Sequence, residues 1–221
     1  MDPGPLPARR PRHQCGVTAD LGGLAPAVVV IAEHDPLRDA DLVVRLRYVA
    51  SGGDGLGRSL RVTFPSQDQE WTLPVGAAWH NDFVPLRPDP GERAVQLFTI
   101  LRNLSTRGGG TLVLTGSHHL VTRYTTDSGN APHPGRVRQV LGEQLWLRDL
   151  WEPPASTTPE QRIHRYMAND TRIGDTDMRV VELTGRPGDA FVMHCDTLHA
   201  AAPNCHDEPR MMATITLTTS P

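Results

Sequence analysis

The feature that most restricts this chain is how often it is interrupted. Its 221 residues include 20 glycines and 20 prolines, and the apolar runs between them are short. Glycine weakens helix and strand interiors, and proline lacks the N–H that both kinds of ladder use. A helical bundle needs long periodic segments, whereas many short strands joined by turns do not. Candidate strands fall at 27–32, 59–64, 77–83, 93–104, 110–116, 179–185, 189–195 and 210–219. The last alternates without a break. Met211, Ala213, Ile215 and Leu217 share one face, and Arg210, Met212, Thr214 and Thr216 share the other. A sheet with one apolar and one partly polar face fits a mainly β chain with flanking helices, a jelly roll whose mouth holds a site.

Two segments carry helical spacing. "DPLRDADLVVRLRYVAS" (35–51) opens on Asp-Pro and repeats Leu37, Leu42, Val43, Leu46 and Val49 at helical intervals. "GRVRQVLGEQLWLRDLW" (135–151) carries Val137, Val140, Leu141, Leu145 and Trp146, and Pro153-Pro154 ends it. The stretch 120–136, rich in Thr, Ser, Gly and Pro, reads as a long loop, and so does part of 155–178. The opening residues 1–20 are rich in Pro, Gly and Arg and read as a disordered arm, leaving 21–221 as one domain.

Charge and cysteine content narrow the function classes. The net charge of -3 gives no basic field for nucleic acid or an anionic membrane. All 22 Lys+Arg residues are arginine, so a Schiff-base lysine is excluded and any anion-binding cation is a guanidinium. Cys15, Cys195 and Cys205 form no CxxC pair, which favours a reducing compartment. No apolar run reaches the roughly 20 residues of a membrane span, and no apolar segment follows the early arginines as a secretory leader would require. The expected setting is the cytoplasm, and the expected partner is a small-molecule substrate. The sequence carries no reading of oligomeric state.

Chemistry concentrates in two places. In "AAWHNDFVPL" (77–86) a strand would turn His80 and Asp82 to one side and Asn81 to the other. In "GDAFVMHCDTLHAAAPNCHDEPR" (188–210) an apolar strand leads to His199, and turn-rich sequence separates it from Arg210. Antiparallel return would bring His199 and Arg210 to one mouth. Two histidines and a carboxylate make a facial triad with open positions, a donor set that suits non-haem Fe(II) oxygen chemistry. A bidentate 2-oxo acid and O2 would occupy those positions. A fixed guanidinium would meet the far carboxylate with two parallel hydrogen bonds.

The HxD at 80–82, "GGGTLVLTGSHHL" at 108–120 and "GD…LHAAAPN…R" at 188–210 together resemble the phytanoyl-CoA dioxygenase-like Fe(II)/2-oxoglutarate oxygenases, over roughly residues 60–217. The resemblance implies a double-stranded β-helix core, with Fe(II), 2-oxoglutarate and O2 as cofactor and cosubstrates. It also implies a hydroxylated small molecule released with succinate and CO2. Residue by residue, it assigns His80, Asp82 and His199 to the iron and Arg210 to 2-oxoglutarate. Many members place a Ser or Thr two residues after the distal histidine; here Ala201 stands there, and Thr214 or Thr216 on the Arg210 face is the expected substitute. The stretch before residue 60 is shorter than in typical members, which favours a compact substrate over an acyl-CoA. The presence of Asp82 speaks against halogenation.

Other residues have plainer expectations. His118 reads as part of a turn packed beside the site, His119 as exposed, and His194 and Cys195 as core. Trp79 and Phe83 are expected to pack the sheet. Arg123, Tyr124, Arg162, His164, Arg165 and Tyr166 lie in loops that would cover the mouth, and solvation is the plainer reading for most of them. Two rival functions remain open: a catalytically inert jelly-roll binding protein, and a cupin-type metalloenzyme that does not use 2-oxoglutarate.

Overall fold

The structure is a computed structural model and describes residues 45–47, 59–66, 69–82, 93–129 and 133–220. The strands expected at 27–32, the arm at 1–20, Cys15 and Phe83 lie outside the described residues. The elements, in chain order, begin with β1 (Arg45–Arg47), β2 (Ser59–Thr63), β3 (Arg93–Ile100) and β4 (Thr111–Leu114). Then come α1 (Ser117–Ser128), α2 (Pro134–Leu141), α3 (Leu145–Trp151) and α4 (Pro159–Ile163). The remainder is β5 (Thr171–Ile173), β6 (Thr176–Met178), β7 (Val180–Glu182), β8 (Ala190–His194), β9 (His199–Ala201) and β10 (Arg210–Ser220).

The strands form a large antiparallel sheet, β1-β10-β3-β8 with β2 also on β10, and a small one, β7-β4-β9. β5 and β6 make a separate hairpin. The two sheets face each other across Phe98, Ile100, Leu104, Val113, Leu183, Phe191, Met193 and Met212. The far side of the small sheet packs on helices α1 to α3 through Leu112, Leu114, Leu120, Val121, Val137, Leu147 and Leu150. This is the jelly roll with flanking helices that the sequence pattern calls for. β4 lies in the middle and is buried on both sides. Val113 points to the large sheet, and Leu112 and Leu114, both 0% exposed, point to the helices. Each such side chain stabilises the fold by about 1.5–3 kcal/mol when fully buried.

Register fixes which face of β10 looks inward. Met212 pairs with Ile100 and Thr214 with Phe98, and Arg210, Met212 and Thr214 are all buried. The polar face of the alternating strand is thus the interior one. Met211, Ala213 and Ile215 form the half-buried outer face.

Four local expectations are corrected. Residues 45–47 form a strand on β10, where the spacing of 35–51 reads as helix; the ladder to Thr218–Ser220 outweighs helical periodicity there. The described part of the strand expected at 77–83, residues 77–82, is no regular strand: a 3-10 turn spans Gly76–Ala78, and His80 makes a single bridge. The stretch read as a loop at 120–136 is largely α1, whose Leu120 and Val121 bury against the core despite a polar, β-branched sequence. The single helix read at 135–151 is two, broken at 142–144, so that Val137 and Leu141 on one piece and Leu147, Leu150 and Trp151 on the other all reach the core. Gly116 starts α1 with φ +73°, and a Cβ there would lie 2.6 Å from Thr176 Cγ2. Only glycine fits that strand-to-helix turn.

Part of 155–178 is ordered as well: α4 carries a capping box between Thr158 and Gln161, and a π turn follows at His164–Ala168. Among the described residues, no helix is long and apolar enough to cross a membrane.

Candidate metal and cosubstrate site

His80 reaches its place by backbone pairing. Its N–H donates to His199 O at 3.0 Å, and the N–H of His199 donates back to His80 O at 2.8 Å. Two residues on, the N–H of Asp82 donates to Cys195 O at 2.9 Å. The segment is thereby laid along the edge of β9, next to the turn that follows β8. Its approach is braced from three sides. Trp79, fully buried, donates its indole N–H to Pro74 O; Arg138 of α2 donates to Trp79 O; and Arg162 of α4 donates to Leu73 O, Pro74 O and Leu150 O.

One donor atom from each of His80, Asp82 and His199 comes together so that all three lie within 4.8 Å of one another. Both imidazoles use Nδ1 on a backbone carbonyl: His80 on Ala78 O at 2.8 Å and His199 on Thr197 O at 3.0 Å. Carbonyls only accept, so both Nδ1 atoms carry the proton and both Nε2 lone pairs stay available. His199 Nε2 stands 3.6 Å from Asp82 Oδ2. That carboxylate oxygen is buried and makes no hydrogen bond. Burial pushes the His199 imidazole below its ordinary pKa; Asp82 opposes this and the neighbouring His80 adds to it. The result favours neutral imidazole, the form that ligates a metal. A buried carboxylate oxygen without a hydrogen bond, clustered with two imidazole donors, is what a divalent cation would satisfy, so the residues present fit a metal.

Arg210 opens β10 and is 7% exposed. Its Nη1 donates to Gly109 O at 3.0 Å and to Thr111 Oγ1 at 3.4 Å, while Nε is buried and makes no hydrogen bond. Burial first, then Arg61 on the neighbouring strand, draw the guanidinium down to about 10, which still leaves it charged at neutral pH. Neither of its partners is a carboxylate. A buried charge without a counter-ion is costly, and an anionic ligand would offset that cost.

The carbonyl that Arg210 uses sits in a glycine loop held by a residue that sequence reading missed. Glu182 of β7 accepts from the N–H of Arg107 at 2.9 Å and of Gly110 at 3.2 Å. Arg107 has φ +67° and Gly109 φ +82°, so this carboxylate secures a turn that strains its one non-glycine residue. Burial pushes the Glu182 carboxyl above its ordinary pKa, opposed by those two N–H groups and by His206 and Arg107 nearby. The close approach is tight. A Cβ on Gly110 would lie 2.6 Å from Leu183 O.

The remaining expected positions fall as follows. Thr214 is buried on the inward face of β10, four residues along from Arg210. His118 is buried at the start of α1, its ring 4.0 Å from that of His119 and 5.6 Å from that of His194. Cys195 is buried and Cys205 partly so, and neither forms a disulfide among the described residues. Arg162 is no solvated loop residue but is 4% exposed and bonded to carbonyls. Tyr166 is buried too, its hydroxyl donates to Trp146 O, and burial raises it to about 12. Arg123 pairs with Asp175 and Arg165 with Asp149.

The family model for phytanoyl-CoA dioxygenase (PhyH) matches residues 46–212, most of the chain. The chain belongs to the phytanoyl-CoA dioxygenase family. Fe(II) and 2-oxoglutarate are the cofactors that go with this family and with the donor set described above. Among solved structures, it is similar to the non-heme alpha ketoglutarate dependent carbocyclase SnoK from nogalamycin biosynthesis. That match has 18% identity, 74% of this chain, 48% of the other and a TM-score of 0.40. It is also similar to the epimerase SnoN in complex with Fe3+, alpha ketoglutarate and nogalamycin RO, at 18% identity, 75% and 49% coverage and a TM-score of 0.41. EvdO2 from Micromonospora carbonacea var. aurantiaca matches at 18% identity, 74% and 53% coverage and a TM-score of 0.37. The chain spans between 26% and 53% of the length of these and other matched structures. No curated protein matches it.

Proposed function

We propose that this phytanoyl-CoA dioxygenase family member is a non-haem Fe(II) and 2-oxoglutarate-dependent oxygenase that hydroxylates a small metabolite or natural-product intermediate. What supports the reading is a His-Asp-His cluster with a buried carboxylate oxygen that makes no hydrogen bond, together with a buried guanidinium that has no carboxylate partner among the described residues. His80, Asp82 and His199 would hold Fe(II), and Arg210 would hold the far carboxylate of 2-oxoglutarate. With O2, the bound iron and cosubstrate supply oxidation of a substrate C–H to C–OH, with 2-oxoglutarate converted to succinate and CO2.

The chain's own residues set the conditions for that chemistry. Ala78 O and Thr197 O hold the protons on both Nδ1 atoms, which keeps both Nε2 atoms as donors to the metal. Asp82 supplies the negative charge that two neutral imidazoles lack. Phe98, edge-on to the His199 ring at 6.2 Å, helps keep water from the site. His199 and Arg210 are 6% and 7% exposed, so a compact substrate suits this mouth.

A screen of candidate substrates for succinate release tests the reading. Succinate formation that depends on substrate, iron and 2-oxoglutarate, and that disappears in His199→Ala, is the expected result. Equal turnover by His199→Ala in the presence of iron would show that the ligand assignment is wrong.

A further inference from the structure

His199 is tied to β4 through a side chain as well as through backbone. In the β4–β9 ladder Val113 stands opposite His199, which sets Leu114 opposite Leu198. Residues facing each other at a hydrogen-bonded rung of an antiparallel ladder exchange two N–H···O bonds. Here one is direct, from the N–H of Leu114 to Leu198 O at 2.9 Å. The other is relayed by Ser117, the first residue of α1. The N–H of Leu198 donates to Ser117 Oγ at 2.8 Å, and that hydroxyl donates to Leu114 O at 2.6 Å. Ser117 and Leu198 are both 0% exposed, which keeps solvent from these bonds. The Leu198 N–H belongs to the same planar peptide unit as Thr197 O. Thr197 O is the acceptor that holds the proton on His199 Nδ1, at 3.0 Å. Pinning the N–H on one side of that plane fixes the direction of the carbonyl on the other. The serine is itself held by the turn at Gly116, packed so closely on the β5–β6 hairpin that a Cβ there would lie 2.6 Å from Thr176 Cγ2 and 2.9 Å from Asp177 O.

We infer that Ser117 is a positioning residue for the metal site: its hydroxyl, spliced into the β4–β9 ladder, orients the Thr197–Leu198 peptide and through it the ring and tautomer of His199. This rests on the function proposed above and adds a residue to it. A histidine ligand depends on the group that takes its other ring N–H. A backbone carbonyl in that role turns with its peptide unless the N–H of the same peptide is held. At His80 the same task falls to backbone: the Trp79 N–H, in the peptide of Ala78 O, donates to Gly76 O at 3.3 Å. At His199 it falls to the Ser117 hydroxyl, so a substitution there reaches one imidazole and spares the other.

The test is a calorimetric titration of the metal-free full chain with Mn(II), well below its melting temperature, with proton–nitrogen spectra of the histidine side chains recorded before metal is added. Ser117→Ala should weaken Mn(II) roughly tenfold, the low end of what losing an outer partner of a histidine ligand costs. In the spectra the Nδ1–H resonance of His199, identified by its loss in His199→Ala, should move or broaden, and that of His80 should stay. Ser117→Thr keeps the hydroxyl and should bind Mn(II) as the wild type does. Tyr166→Phe removes another buried hydroxyl bond, the one to Trp146 O, and should lower the melting temperature without changing Mn(II) affinity. If Ser117→Ala does not fold, Ser117→Cys takes its place with the same expectations, since a thiol is a weak donor and acceptor of similar size. Wild-type Mn(II) affinity with an unmoved His199 resonance in that variant overturns the inference and leaves the site assignment standing. So does an equal loss of Mn(II) affinity in Tyr166→Phe, which would mark general loosening, or in Ser117→Thr, which would mark packing and not the hydroxyl. A wild type that binds no Mn(II) overturns the assignment of the site, and this inference with it.

Discussion

A guanidinium buried without an anion destabilises the empty site and favours the filled one, and among the described residues Arg210 has no carboxylate partner. Arg210→Lys should weaken 2-oxoglutarate by about one to two decades, because a point charge loses a charge-assisted hydrogen bond worth roughly 1.5–3 kcal/mol. A titration of the Mn(II)-loaded variant checks this, and an unchanged affinity would point to another cation. Glu182 gives a pH test. Its folded pKa is raised from an ordinary 4.5 mainly by burial. Its contribution to stability is therefore fully present below 4.5 and lost as pH rises through the raised value. The melting temperature of the wild type minus that of Glu182→Gln should increase as pH falls toward 4.5, and a flat difference would contradict the burial argument. At this scale the sequence was legible where chemistry is rare. Two histidines, one carboxylate and a late arginine stand out at their spacing. Glu182 does not, because its hold on the Arg107 and Gly110 N–H groups depends on a long-range contact that no local pattern encodes.

Elements hold the candidate ligands by bracing backbone and not by regular strand geometry. His80 and Asp82 were expected to converge as alternate residues of a strand; instead a 3-10 turn, a single bridge to His199 and a bond to Cys195 O deliver them. Arg162 ties α4 to the segment that leads into that turn through Leu73 O, Pro74 O and Leu150 O. Arg162→Met would leave buried carbonyls unsatisfied, at about 3 kcal/mol in total. For a chain of this size that lowers the melting temperature by roughly 6–12 °C. A thermal unfolding scan checks it, and a change within a degree or two would show the bonds to be incidental. Strands with strong alternation, such as β10, were readable almost to their ends. The helix at 117–128 was not, since Thr, Ser and Asp there mimic a loop and packing of Leu120 and Val121 selects the helix.

The whole molecule is a layered arrangement in which the small sheet is sandwiched between the large sheet and the helices, and the site opens between the two sheets. That architecture was legible from short strands and turn residues, because closing many short strands around one core leaves few alternatives. It also couples the site to stability, since ligand that binds only the folded chain raises its melting temperature by RT ln(1 + [L]/Kd), about 2.7 kcal/mol at a hundredfold excess over Kd. The central claim, that His80, Asp82, His199 and Arg210 form one metal-dependent site for 2-oxoglutarate, is tested most directly by ordered addition. Mn(II) followed by the unreactive analogue N-oxalylglycine should raise the melting temperature in two steps. The analogue alone should do little, and His80→Ala should remove both steps. A metal step without an analogue step would mark a metalloenzyme that does not use 2-oxoglutarate, and no step at all a metal-free binding protein. Stabilisation of the metal-free chain by the analogue as large as that of the Mn(II)-loaded chain would contradict the claim.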